Sequence, residues 1–335
     1  MITSIHFENF KILRDATLPL GRFTLLIGAN GSGKSTAMQA LRFIGGSVGP
    51  SLDHISVEVL PVSSASHSRV SIMLETADGS GEVILDFATG PNGLSTQRSV
   101  RGITNSEVRV EFLKQLETFR IFQFEPKQMT QPQPLAQTPE LGEDGSHLAV
   151  VLDALRDSHP ERFELLNQEL GRWLPEFDRI LFETIGSNRA FMLRTRFGSH
   201  PIRAAQLSQG TLLALAFLTT AYLPQPPAII CFEEPEHGIH PRLLREIQDA
   251  MYRLAYPENY GEERAAVQVI ATTHSPYLLD LYKDHPEEIV IAEKTEQGAG
   301  FRRLTDTPHL EDILQGAPLG EVWYSGIFGG MPLTA

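Results

Sequence analysis

The amino-acid sequence predicts an α/β fold with a mostly parallel central sheet. Short and largely apolar stretches, such as residues 228–232 and 267–271, alternate with stretches of helical periodicity. This pattern is typical of a parallel sheet whose two faces are covered by helices. Residues 22–43 also run as an apolar strand, a glycine-rich loop and a helix, in that order.

The N-terminal region predicts an antiparallel β portion. Residues 1–10 alternate between apolar and polar positions with a period close to two, which is typical of a half-buried strand. Residues 70–74 and 82–87 lie on either side of a turn at residues 78–81, and together they predict a hairpin or meander. Residues 35–43 have helical spacing and contain no helix breaker.

The middle of the chain predicts a helical insertion. Residues 127–146 are rich in Gln, Pro, Thr and Gly, which indicates a long loop and a hinge. Residues 147–156 and 161–173 then have the periodicity of amphipathic helices. No long heptad repeat is present, so we expect no coiled-coil arms.

Composition limits the class of protein. With 41% hydrophobic and 21% charged residues in a chain of 335, the sequence is that of a globular protein. The single cysteine, Cys231, lies in an apolar run and fits a small buried side chain. We recognise no leader at the N-terminus, and the longest apolar stretch, residues 212–223, is shorter than the roughly 20 residues that cross a bilayer. We therefore expect a cytoplasmic protein with no membrane partner.

Residues 28–35, Gly-Ala-Asn-Gly-Ser-Gly-Lys-Ser, match the phosphate-binding loop pattern in full. Glycines allow successive backbone N–H groups and the helix N-terminus to face phosphate oxygens. Lys34 is then expected to reach the β- and γ-phosphates, and Ser35 to bind Mg²⁺. The motif therefore predicts a nucleoside triphosphate and Mg²⁺ as ligands.

Two carboxylates follow the predicted strand at residues 228–232. Because the carboxyl ends of strands in an α/β sheet face the ligand crevice, Glu233 is expected near the Mg²⁺ ion. Glu234, one residue later, is placed to orient or deprotonate the attacking water. The alternative is a solvated acidic loop.

Two weaker motifs complete the set. Ser208 and Gly210 precede an apolar helix, where a serine is ordinarily an N-cap. Together with the phosphate-binding loop and the two carboxylates, however, this segment is similar to a signature motif that contacts the γ-phosphate of another subunit. His274 follows the predicted strand at residues 267–271, where a γ-phosphate sensor is expected.

The order of these motifs resembles the ABC-type ATPases of the SMC/RecF/OLD group, and most closely the short stand-alone AAA-family ATPases of bacteria. The resemblance extends over nearly the whole chain. The segments that carry it are residues 5–11, 144–149, 207–211, 233–241, 273–280 and 319–324.

The resemblance implies a P-loop NTPase of the ABC/SMC-head type, formed as one head over residues 1–335. Within it we expect an N-terminal lobe with the P-loop at 1–126, a helical insertion or lid at 127–190, and a lobe with the signature, Walker B and switch-histidine motifs at 191–335. ATP binding is assigned to Asn30, Gly31, Ser32, Gly33, Lys34, Ser35 and Thr36.

The resemblance also assigns roles to the remaining motifs. Glu234 is the catalytic carboxylate and His274 the switch histidine. Ser208, Gln209 and Gly210 bind ATP in trans, and residues 236–241 form the dimer-contact loop. The expected Mg²⁺ ligands are Ser35, Glu233 and Gln123.

Two positions depart from the family pattern. Glu233 stands where Walker B usually has aspartate, and the extra methylene brings its oxygen about one bond length closer to the metal, so hydrolysis is expected to be slow. Gln123 and Gln128 both lie near the expected glutamine loop. We prefer Gln123, while either can be a surface glutamine.

Three functional hypotheses follow. In the first, an ATP-bound head-to-tail homodimer regulates a separate effector, a nuclease or toxin in anti-phage defence. In the second, the chain is a DNA-binding repair ATPase of the RecF/SMC type. In the third, which is disfavoured because both ends of the chain resemble SMC/RecF heads, it is the ATPase subunit of a transporter.

The second hypothesis depends on a local basic segment. With a net charge of −13, a uniformly acidic surface repels nucleic acid, so a nucleic-acid surface must be local. Residues 187–211 contain no acidic residue, and Arg194 and Arg196 share a face if they lie on one strand. The alternative is a basic edge strand that protects against aggregation. The arginines concerned are Arg189, Arg194, Arg196 and Arg203.

Overall fold

A computed structural model describes residues 1–46, 67–76, 79–90, 93–103, 105–135, 139–295 and 298–329. The chain forms two compact units. The first comprises Met1–Arg120, Pro227–Cys231 and Gln268–Ala335, and the second comprises Ile121–Pro226 and Phe232–Val267.

The strands, in chain order, are β1 (Ile2–Phe10), β2 (Leu13–Pro19), β3 (Phe23–Ile27), β4 (His67–Thr76), β5 (Gly79–Gly90), β6 (Gly93–Arg101), β7 (Arg120–Phe122), β8 (Gln133–Pro134), β9 (Phe177–Ile185), β10 (Asn188–Thr195), β11 (Pro201–Arg203), β12 (Ile229–Glu233), β13 (Gln268–Thr273), β14 (Ile289–Thr295) and β15 (Gly298–Arg303). The α-helices are α1 (Lys34–Gly46), α2 (Ser106–Glu117), α3 (Pro126–Met129), α4 (Leu148–Ser158), α5 (Pro160–Trp173), α6 (Gln209–Ala221), α7 (Leu244–Ala255), α8 (Pro276–Asp280), α9 (Leu310–Gly316) and α10 (Leu319–Tyr324). None of these helices has the length and apolarity that a membrane span needs.

An antiparallel sheet forms the N-terminal part of the first unit, as the sequence predicts. Its strand order is β2-β1-β4-β5-β6. β4 and β5 form the expected hairpin, but residues 79–81 of the predicted turn belong to β5, where Gly79 is paired with Thr76. Asp78 of that turn lies outside the described residues. The sheet packs against the β14–β15 hairpin, and the rings of Phe7 and Phe301 lie 6.1 Å apart.

The central sheet has the order β15-β14-β3-β13-β12-β7. β3, which is buried at every position, pairs in parallel with β13 and with β14. The α/β fold with a parallel sheet centre and an antiparallel N-terminal sheet is therefore confirmed. Parallel neighbours matter for function because their carboxyl ends meet at one edge of the sheet.

One buried amide links β1 to this central sheet. Gln268, 6% exposed at the start of β13, accepts a hydrogen bond from Ile2 N (3.0 Å) and donates through Nε2 to Ile2 O (2.6 Å) and Gly21 O (2.8 Å). These contacts explain why a buried polar residue stands at the start of β13, since buried backbone groups need partners.

The second unit combines helices with a small antiparallel sheet formed by β8, β9, β10 and β11. α4 and α5 confirm the two amphipathic helices expected in the insertion, but the segment at 127–190 also contains β8, β9 and the first three residues of β10. In α6 every residue from Thr211 onward is buried, and the hydroxyls of Thr219 and Thr220 donate to Leu215 O (2.7 Å) and Ala216 O (2.8 Å). Those bonds allow two threonines to lie in an apolar environment.

A cluster of three arginines around one carboxylate fastens α5 and α7 to the segment after α7. Glu262 accepts from Arg162 Nη2 (2.7 Å), Arg253 Nε (2.5 Å) and Arg264 Nε (2.6 Å). Burial alone raises the pKa of Glu262, but the hydrogen bond from Arg264 and the charges of the arginines outweigh it and hold that pKa below its ordinary value.

Candidate functional site

The glycine-rich loop lies between β3 and α1, and its conformation requires glycine. Gly28, Gly31 and Gly33 have φ angles of 152°, 75° and 104°. A Cβ on Gly28 would lie 2.4 Å from Ala292 O and 2.7 Å from Ser32 Oγ. Because side chains rarely adopt such φ angles, the loop takes this shape only with these glycines.

The side chains of the loop have the arrangement that a phosphate group requires. Lys34 is 5% exposed and donates from Nζ to Gly28 O (2.7 Å) and Ala29 O (3.0 Å), so its ammonium lies within the curl of the loop. Ser32 Oγ is buried and has no hydrogen-bond partner among the described residues. Asn30, Gly31 and Ser35 are exposed. A buried cation, an unsatisfied hydroxyl and the N-terminus of α1 fit a phosphate anion.

The structure brings His274 to the same sheet edge as this loop. In the parallel pair of β3 and β13, Ile27 is in register with Thr273, so Gly28 and His274 leave neighbouring strands at the same level. Thr273 Oγ1 accepts from Ser275 N (2.9 Å), and Ser275 Oγ accepts from Leu278 N (3.3 Å) at the start of α8. These two local bonds fix the backbone on the C-terminal side of the half-buried His274.

In the second unit, Ser208 is the N-cap of α6. Its Oγ accepts from Thr211 N (3.1 Å) and lies 2.8 Å from Thr211 Oγ1. Ser208 and Gln209 are exposed, and Gly210 is partly exposed. The cap therefore presents the N-terminus of an otherwise buried helix at the surface of its unit, which is a suitable arrangement for binding an anion.

The loop after β12 packs against that cap. Gly238 has a φ of 75°, and a Cβ there would lie 2.9 Å from Gln209 Nε2 and 3.0 Å from Leu213 Cδ1. The predicted signature motif and the predicted dimer-contact loop are therefore in direct contact within this unit.

Glu233 is the last residue of β12, and Glu234 follows with a φ of 46°. A glutamate in the left-handed region is uncommon, and the conformation costs on the order of 1 kcal/mol. His237 N donates to Glu234 O (2.8 Å), so a turn holds this conformation. Glu234 is exposed, whereas Glu233 is partly buried.

Gln123 directly follows β7 and is exposed between Phe122 and Phe124. Its backbone N donates to Glu143 O (2.9 Å), and Glu125 N donates to Asp144 O (2.8 Å). Burial raises the pKa of Asp144, but hydrogen bonds from Ser146 outweigh this effect and lower it. Gln128 instead lies in the short helix α3 and is also exposed.

Two families of known proteins match the parts of the chain that contain these motifs. Residues 134–280 match the family described as "AAA domain, putative AbiEii toxin, Type IV TA system", and residues 1–71 match the family described as "AAA ATPase domain". The second match includes the glycine-rich loop, and the first includes Ser208, Glu234 and His274.

The chain is also similar to individual proteins of known sequence or structure. The OLD nuclease of Thermus scotoductus is 42% identical over 52 residues, which are 16% of this chain and 10% of the nuclease. The Smc head domain of Pyrococcus yayanosii has a TM-score of 0.54 at 12% identity, with 94% of this chain and 99% of that chain covered. The recombination mediator RecF, in the structure titled RecF-ATPrS, has a TM-score of 0.50 at 12% identity, covering 91% and 98%. The chain therefore has the fold of the SMC head domain and of RecF.

The four arginines of the predicted basic segment donate hydrogen bonds to acceptors within the same chain. Arg194 forms two hydrogen bonds with Asp178, at 2.8 and 3.0 Å, and Arg203 forms two with Glu183, at 2.9 and 3.1 Å. Arg189 Nε donates to Asp153 Oδ2 (2.8 Å), and Arg196, which lies beyond the end of β10, donates to Gly171 O (3.0 Å). These pairings favour a structural role for the arginines over contacts with phosphates.

Sequence reasoning missed the residues that hold Gln123. The aromatic rings on either side of it, and the backbone of Glu143 and Asp144, come together only in the folded chain. The one available signal was the segment at residues 144–149, which belongs to the family resemblance but had no assigned role.

Proposed function

We propose that this protein binds Mg²⁺ and ATP at residues 28–36 and hydrolyses ATP. One observation carries the proposal: the phosphate-binding loop and His274 leave two neighbouring parallel strands of one sheet at the same level. A γ-phosphate bound to the loop would then lie near His274, which follows the neighbouring strand and could contact that phosphate.

Each predicted site residue has a role in this proposal. Lys34 and the loop N–H groups would bind the β- and γ-phosphates. Ser35, Glu233 and Gln123 would hold Mg²⁺, which would supply positive charge against the phosphates. Glu234 orients the attacking water and accepts its proton as the water oxygen bonds to the γ-phosphorus and ADP leaves with the bridging oxygen. Because Glu233 stands where aspartate is usual, we expect ATP hydrolysis to be slow.

The proposal extends to a dimer in which each ATP is shared. Ser208, Gln209 and Gly210 present a capped helix N-terminus at the surface of their unit, which suits contact with the γ-phosphate held by a second copy. ATP would then join two copies, and hydrolysis would release them.

We further propose that this dimer regulates a separate effector, a nuclease or a toxin, in anti-phage defence. The similarity to a family whose description includes a toxin–antitoxin system, and to a short part of an OLD nuclease, supports this class of effector. The effector would recognise the ATP-bound dimer.

The test uses the Glu234→Gln variant. Removing the proton acceptor while retaining the size of the side chain is expected to trap the ATP-bound dimer, so its mass by light scattering should double on addition of Mg·ATP. Hydrolysis should fall by about 100-fold or more relative to wild type. A Glu234→Gln protein that remains monomeric at saturating Mg·ATP contradicts the shared-site proposal, whereas a wild type with no ATPase activity contradicts the proposed hydrolysis.

A further inference from the structure

Four phenylalanines of the second unit form a continuous ring cluster around the segment that contains Gln123. The ring centroids of Phe122 and Phe124 lie 5.1 Å apart, and Phe124 contacts Phe217 edge-on at 5.2 Å. Phe217 and Phe232 lie 5.1 Å apart, and Phe122 and Phe232 lie 5.8 Å apart.

Each ring belongs to a segment with a different motif. Phe122 and Phe124 flank Gln123, Phe217 lies on α6, which Ser208 caps, and Phe232 directly precedes Glu233. The cluster therefore places these three segments in direct contact through closely packed rings.

Hydrogen bonds to Glu143 also hold the backbone of the same segment. Ile121 N donates to Glu143 Oε1 (3.1 Å), and Gln123 N donates to Glu143 O (2.9 Å). Ser146 N in turn donates to Asp144 Oδ1 (2.9 Å), which stabilises the turn that supplies these acceptors. The rings and the hydrogen bonds leave the side chain of Gln123 exposed while its backbone is fixed.

We propose that Phe124 is a positioning residue, whose ring sets the orientation of Gln123 and couples it to the signature helix α6 through Phe217. This inference rests on the proposed role of Gln123 as a Mg²⁺ ligand. It adds that the Mg²⁺ concentration needed for ATP binding depends on the rings of Phe124 and Phe217, although neither residue is a proposed Mg²⁺ ligand. Residues that orient a ligand typically change metal affinity by about 10–100-fold when they are replaced.

The experiment measures the Mg²⁺ concentration that gives half-maximal binding of a fluorescent ATP analogue. Phe124→Leu is expected to raise this concentration about 10-fold or more, and Phe217→Leu is expected to raise it in the same direction. Phe124→Tyr, which keeps the ring, should restore the wild-type value. In the background of Gln123→Ala, Phe124→Leu should produce no further shift, because it acts through Gln123.

Phe163→Leu is the matched control. Phe163 is also buried in the second unit, at 5% exposure, and its ring pairs with Phe182 at 5.9 Å, outside the cluster. The variant should lose comparable stability and keep the wild-type Mg²⁺ requirement. Equal Mg²⁺ requirements in Phe124→Leu and Phe163→Leu, or a full further shift on top of Gln123→Ala, would overturn the inference. A failure of the proposed function appears separately, in a wild type that binds no analogue.

Discussion

Glycine at residue 28 is required by two independent constraints. Its φ of 152° is unfavourable for a side chain, and the space that a Cβ would occupy is filled by Ala292 O and Ser32 Oγ. Gly31 has a φ of 75° but no atom within 4 Å of its Cβ position, so it meets only the first constraint. A substitution at Gly28 would therefore disturb both the backbone conformation and the packing, whereas one at Gly31 would disturb only the backbone conformation.

We predict that Gly28→Ala abolishes binding of a fluorescent ATP analogue and lowers stability. The strained backbone costs about 1–3 kcal/mol, and the contact with Ala292 O adds to it. Calorimetry and analogue titration measure both effects. Gly186→Ala is the control, because Gly186 has a φ of 63° with open space around it, outside the candidate site. Normal analogue binding by Gly28→Ala would contradict the assignment of this loop.

The strand β1 is held in place by a side chain that is distant in the sequence. Ile2 and Gln268 are 266 residues apart, yet the amide of Gln268 satisfies both backbone groups of Ile2. The arrangement joins the antiparallel sheet to the central sheet within the first unit. Gln268 stands at the start of β13 because its amide is needed as a partner for the backbone of Ile2.

Gln268→Leu is expected to lower the free energy of unfolding by about 2–4 kcal/mol. Leucine leaves the N–H and C=O of Ile2 without partners, and each unsatisfied buried group costs roughly 1–3 kcal/mol. Urea denaturation measures the loss, and hydrogen exchange should locate it in β1. The exposed Gln206 provides the control in Gln206→Leu, for which little change is expected. If the two variants are equally stable, the link between β1 and β13 is not stabilising.

The cluster at Glu262 predicts a pH-dependent stability. Because the folded-state pKa of Glu262 is lowered, its contribution is fully present above the ordinary carboxyl pKa of 4.5 and is lost as the pH falls through the folded-state value. Glu262→Gln should therefore lose roughly 1.5–3 kcal/mol at pH 7, and its difference from wild type should shrink below about pH 4.5.

Urea denaturation from pH 3 to pH 8 tests this prediction. Glu164→Gln is the control, since Glu164 pairs with Arg179 at 3.1 Å but both side chains are more than 40% exposed. Exposed pairs contribute about 0–1 kcal/mol. A difference between Glu262→Gln and wild type that does not depend on pH would show that the charge of Glu262 is not what stabilises the cluster.

In the whole molecule, the proposed function requires two copies of the chain. Lys34 and Ser208 lie in different compact units, and the proposal places Ser208 on the ATP bound to the partner's loop. Contact between Gln209 and Gly238 also joins the signature motif to the loop that is proposed to meet the partner.

Ser208→Arg is predicted to block dimer formation and leave ATP binding to the monomer intact. The larger side chain at an exposed helix cap would occupy the space of the partner's phosphate, and losing this contact should reduce ATPase activity by about 100-fold. Light scattering and analogue binding separate the two effects. Ser187→Arg, at the exposed turn between β9 and β10, should behave as wild type. Undiminished ATPase activity in Ser208→Arg would exclude a shared site.

The fold class was predictable because its signals are local. The apolar run of β3, the glycines that follow it and the periodicity of α1 lie within 25 residues, and β4 and β5 are separated by only two residues in the sequence. The strand β9 was not predicted, and a strand at Arg194 and Arg196 was considered only as a condition for their sharing a face. The roles of Glu233, Glu234 and His274 stay predictions, and the Glu234→Gln variant tests the role of Glu234.

The sequence by itself determined the phosphate-binding loop, the α/β architecture and the order of the motifs, because glycine conformations, capping hydroxyls and short-range periodicity act over a few residues. Only the tertiary structure decided which partners the arginines take, why Gln268 is polar, and which rings surround Gln123. Those contacts join residues that are tens to hundreds of positions apart, for example Phe124 and Phe217. Packing in three dimensions selects such partners, and no local pattern encodes them.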